Sequence, residues 1–96
     1  ILPIVSQILK DFKDDRIELF STKDVIKKHI GHYIKDTSPA SNSINANYGM
    51  FLKENTDNLG IIEVRKKVNI VDDHGGSTSS SEWAFLNAEQ RTNPSI

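Results

Sequence analysis

The apolar pattern of this chain changes period once, and that change constrains the fold more than any other feature. As far as Leu52 the dominant spacing is helical. In "IIEVRKKVNIV", Ile61 to Val71, it becomes strict alternation. Ile62, Val64, Val68 and Ile70 fall on one strand face, while Glu63, Arg65, Lys67 and Asn69 fall on the other. Lys66 interrupts the apolar face. A chain that reads helix first and strand second, with a glycine-bearing turn ahead of a second apolar run, predicts an α+β domain with helices packed on an antiparallel hairpin. The 96 residues suffice for one such domain and not for two.

Three helices are expected. Ile4, Val5, Ile8, Leu9 and Phe12 form one stripe over Pro3 to Asp14. "RIELF", Arg16 to Phe20, reads as a very short strand. "FSTKDVIKKHIGHYI" reads as a second helix, capped by Ser21 or Thr22, with Val25, Ile26, His29, Ile30 and Tyr33 inward and Gly31 weakening it. A third helix is expected over Pro39 to Asn55, with Ser38 as its cap and Pro39 in its first turn. Ala40, Ile44, Tyr48, Phe51 and Leu52 gather on its core side. Asn42, Ser43, Ala46, Gly49, Met50 and Lys53 gather on the opposite side, flanked by Asn45 and Asn47. "NTDNLG" ends it. "DDHGGSTSSS", Asp72 to Ser81, reads as a turn or loop, and "EWAFL" as the return strand with Trp83 as a core anchor. Residues 1–87 are expected to form the domain and residues 88–96 a tail or a lead into a further region.

This order of helix, short strand, helix, helix, long strand, loop and strand resembles the winged helix-turn-helix family from about Pro3 to Leu86. The resemblance rests on element order and the change of period, not on a signature motif. It implies that the third helix enters the major groove of double-stranded DNA and that the hairpin is the wing. One departure is that the third helix has no Arg and carries only Lys53, late.

The residues themselves give that reading a chemistry. Asn pairs with two edge atoms of adenine, Ser donates to or accepts from several bases, and Ala contacts the thymine methyl. Base contacts are expected from Ser41, Asn42, Ser43, Asn45 and Ala46, in the N-terminal half of the third helix. Phosphate contacts are expected from Lys27, Lys28, Lys53, Arg65, Lys66 and Lys67; acids cluster elsewhere, at Asp11, Asp14, Asp15 and Glu18. The formal net charge of −1 argues against a histone-like binder and leaves local basic patches open. The competing role for the same scaffold is a protein-interaction module, with Ala46, Gly49 and Met50 as a mild apolar patch. A protein partner or a homodimer is therefore a second expectation.

Other chemistries find little support. With no cysteine, disulfides and thiolate ligands are excluded, which suits an intracellular protein, cytoplasmic or nucleoid-associated. No apolar run is long enough for a membrane span. Asp72, Asp73 and His74 lack the spacing of an EF-hand and the second ligand pair of a zinc site, so no metal or cofactor is expected. "GGSTSSS" is not a phosphate loop, and no nucleophile elbow accompanies the serines. The chain is not expected to be an enzyme. It begins with Ile1 and not Met, and is expected to be part of something longer, such as a regulator or the recognition module of a restriction nuclease.

Overall fold

A computed structural model describes residues 1–34 and 43–86. The described elements are α1 (Leu2–Asp14), β1 (Leu19–Ser21), α2 (Thr22–Ile30), α3 (Ile44–Glu54), α4 (Thr56–Leu59), β2 (Ile61–Val71) and β3 (Ser77–Phe85). The protein is α+β, with one three-stranded antiparallel sheet in the order β1-β3-β2. Four helices stand among the described residues where three were expected. The additional one is the single turn α4. It follows because Asn55 leaves helical geometry at φ −120°, ψ 22°, and one more turn then closes on Gly60 at φ 68°. No helix among the described residues is long and apolar enough to cross a membrane.

The core forms where α1, α2 and α3 meet the inner face of the sheet. Val5, Ile8, Leu9 and Phe12 come from α1, Val25 and Ile26 from α2, Tyr48 and Leu52 from α3, and Phe20, Ile61 and Trp83 from the strands. Ile4 and Ile44, expected in this set, are exposed. Trp83 is completely buried, and its indole N–H donates to Thr22 Oγ1 at 2.9 Å. A buried Trp needs such a partner. Thr22 is thus the acceptor for the core, and Ser21 caps α2 in a reciprocal box with Asp24. Gly31 ends α2 in the left-handed region at φ 99°, so the helix stops at Ile30 rather than continuing to Ile34. His29 is exposed and meets the Tyr48 ring edge-on at 5.7 Å.

α3 begins later than expected. Ser43 has an extended backbone, φ −83°, ψ 123°, and its hydroxyl accepts from the Ala46 N–H at 3.1 Å. It is an N-cap, so no single helix runs from Pro39 through this point. Ser38, Pro39 and Ala40 lie outside the described residues.

The hairpin also departs from simple alternation. The buried residue at the start of β2 is Ile61, while Ile62 and Val64 are exposed. β3 begins at Ser77 and not after the serines, because Val71 to Val68 pair with Ser77 to Ser80. Pairing with a long partner strand overrides the weak strand preference of serine. The turn from Asp72 to Gly76 is closed by the Asp72 carboxylate, which accepts from the N–H groups of His74 at 2.9 Å and Gly76 at 2.7 Å. Both bonds satisfy backbone donors in the manner of an Asx turn.

Candidate nucleic-acid interface

The side of α3 that carries Asn45, Ala46 and Gly49 does not look straight into solvent. Asn45, Ala46, Gly49, Met50 and Lys53 form one wall of a groove of about 390 Å³. Lys66 and Lys67 of β2 and Thr78 to Ser81 of β3 form the other wall, with Ile26 and Tyr33 at its floor. Six of the eleven residues expected to contact DNA are described here on one concavity: Ser43, Asn45, Ala46, Lys53, Lys66 and Lys67.

Two adjacent lysines reach this groove because β2 is irregular. In a regular strand Lys66 and Lys67 would point to opposite faces. The β2–β3 register shifts between Glu63 and Arg65 and again between Arg65 and Val68. Such bulges insert unpaired residues and re-aim side chains. Ser81 secures the irregularity. Its hydroxyl donates to the Glu63 carboxylate and lies 3.2 Å from the Lys66 carbonyl oxygen. The break that Lys66 makes in the apolar pattern thus marks a bulge.

The hairpin does not project freely. Its turn folds back onto α2. Asp73 Oδ1 accepts from Lys27 Nζ at 2.9 Å, and its Oδ2 accepts from the Tyr33 N–H at 2.9 Å. The Asp73 N–H donates to the Tyr33 carbonyl at 2.8 Å, and Lys23 Nζ donates to the Val71 carbonyl at 2.8 Å. The hydrogen bond from Lys27, followed by that from Tyr33, holds the Asp73 carboxyl below the usual carboxylate range. Burial raises the Tyr33 phenol, against a hydrogen bond with Thr78 that lowers it and with a smaller upward push from the charge on Asp72.

The expected contact residues differ in how free their polar groups are. Ser43 is buried, and its oxygen is committed to the cap, so it sets the start of α3 instead of presenting a hydroxyl outward. Asn45 lines the groove, and its Nδ2 donates to the Ile34 carbonyl at 3.0 Å. Lys53 stands 4.0 Å from Glu63 at the rim. Arg65 pairs with Glu82 at 3.0 Å and does not line the groove. Lys27 is held by Asp73, and Lys28 borders a separate depression with Phe12, Ile17 and Leu19. Ser41 and Asn42 lie outside the described residues.

Sequence reasoning missed the hydroxyl wall of Thr78 to Ser81, which it had assigned to a loop. The signal was present as a run of small polar residues ahead of "EWAFL". No family model, curated protein or solved structure matches this chain.

Proposed function

We propose that this domain is a winged-helix module that binds double-stranded DNA, with α3 toward the major groove and the bulged hairpin on the phosphate backbone. The element order α1-β1-α2-α3 before β2-β3, with β1 bonded to β3 on the side away from β2, supports the winged-helix reading. The observation that carries the binding role is the shared groove. On the α3 wall Asn45, Ala46 and Gly49 offer small uncharged groups across from Lys66 and Lys67, with Lys53 at the rim. Small groups let a helix approach base edges closely, and unneutralised lysines beside them suit phosphates.

In this reading Asn45, Ala46, Gly49 and Met50 approach the bases, Ser43 fixes the start of the reading helix, and Lys53, Lys66 and Lys67 grip the backbone. Lys28 adds a peripheral charge. Lys27 and Arg65, already paired within the protein, contribute less. The module serves a regulator or the recognition part of a larger DNA enzyme such as a restriction nuclease.

Titrating duplex binding by fluorescence anisotropy across salt concentrations tests this. Affinity falls linearly on a log–log plot, with a slope of about −0.9 for each phosphate neutralised. Absence of duplex binding at low salt overturns it. The exposed side chains of Ile44 and Met50 favour one competing reading, a protein-binding α3, and that reading predicts no such salt slope.

A further inference from the structure

The outer face of the sheet carries an apolar row. Leu19, Ala84 and Ile62 are direct register partners across all three strands, so their side chains share one face. It is the face opposite the buried row of Phe20 and Trp83. Leu19 is 52 % exposed and Ile62 48 %, and Val64, in the adjoining bulge, is 44 % exposed. The next row on this face is Ser21, Glu82 and Arg65, with the Glu82–Arg65 ion pair beside the apolar row.

We propose that this face is a two-fold interface between two copies of the chain. The charge arrangement selects that occupant. The face combines apolar side chains with one cation and one anion on the neighbouring strands β2 and β3, Arg65 and Glu82, which offset each other. A copy rotated by 180° presents Glu82 to Arg65 and Arg65 to Glu82, so the face complements itself, as an isologous contact requires. Edge-to-edge pairing of sheets is the alternative geometry, and the fold guards against it. β1 offers three residues, and the free edge of β2 is broken by two bulges. The sheet face has no such protection.

Sedimentation velocity of the 96-residue chain tests this without DNA. The average mass rises toward twice the monomer value between roughly 10 µM and 1 mM, the behaviour of an interface at the small end of the size range. I62E abolishes the rise. A pair of charge variants gives an independent readout that does not depend on the fold tolerating I62E. R65E makes the face acidic only and E82R makes it basic only, so each repels its own copy and each alone stays monomeric. Mixed one to one, they associate at least as tightly as the unchanged chain. A constant monomer mass over that range overturns the proposal. So does self-association that I62E leaves intact, or a mixture of R65E and E82R that remains monomeric.

Discussion

The indole N–H of Trp83 and the hydroxyl of Thr22 meet at 2.9 Å across 61 positions of sequence, both inside the core. This bond joins β3 to the first residue of α2. Thr22→Val keeps the shape and removes the acceptor, leaving a buried donor without its partner. It should cost about 1–3 kcal/mol in urea unfolding, whereas Thr22→Ser should retain most of the bond. Equal losses in the two variants would mean that methyl packing, not the acceptor, is what matters.

Acid should loosen the hairpin turn before it unfolds the core. The folded carboxyl of Asp73 titrates below its unfolded value because Lys27, and then the Tyr33 N–H, stabilise the charged form. Its contribution is therefore present above about pH 4 and is lost as pH falls through the lower folded value. Asp73→Asn should be less stable than the unchanged protein near neutrality and converge with it at the acid end of a pH series of denaturant melts. A constant difference across the series would contradict this.

The lysines should not be equal in DNA binding. Lys66→Ala and Lys67→Ala should each reduce the salt slope of duplex affinity by about 0.9. Lys27→Ala should change it much less, because Asp73 already neutralises that ammonium group. Anisotropy titrations at several salt concentrations check the ranking. A larger effect at Lys27 would place the duplex on α2 instead of the groove.

Ser43→Ala should act through the fold. Its hydroxyl caps α3, and removing a cap of this type costs about 1 kcal/mol of stability. Ser43→Asp should restore the loss, since Asp caps equally well. DNA affinity measured far below the melting temperature should move little with Ala. A selective loss of affinity for one duplex sequence would instead assign Ser43 to base contact.

Much of the fold was readable where a residue's neighbours in sequence decide its fate. The α1 stripe apart from Ile4, a cap for α2 at Ser21 or Thr22, and the Trp83 anchor all follow from local pattern. The phase of β2 did not. Alternation counted from Ile62 placed Ile62 and Val64 inward, whereas Ile61 is the buried residue. Bulges shift the phase mid-strand, and they are set by partners such as Ser81, which stands 18 positions from Glu63. The start of α3 was misplaced for a similar reason. Both Ser38 and Ser43 have capping chemistry, and the sequence does not rank two good caps. The groove wall from Thr78 to Ser81 was hidden because serine favours turns in isolation and joins a strand only when a partner compels it.

The anchoring of the hairpin turn to α2 has a thermodynamic consequence for Lys66 and Lys67. Their backbone is held near one end by pairing of β2 with β3 at Ile61–Glu63 and near the other by Asp73 and Val71 on α2 and Tyr33. A wing hinged only at its base must lose backbone freedom when it settles on a ligand. Here that ordering has been completed by folding, so association immobilises little more than two lysine side chains. The two walls are thus preorganised for the proposed ligand, and the entropy of that association should resemble that of a rigid surface.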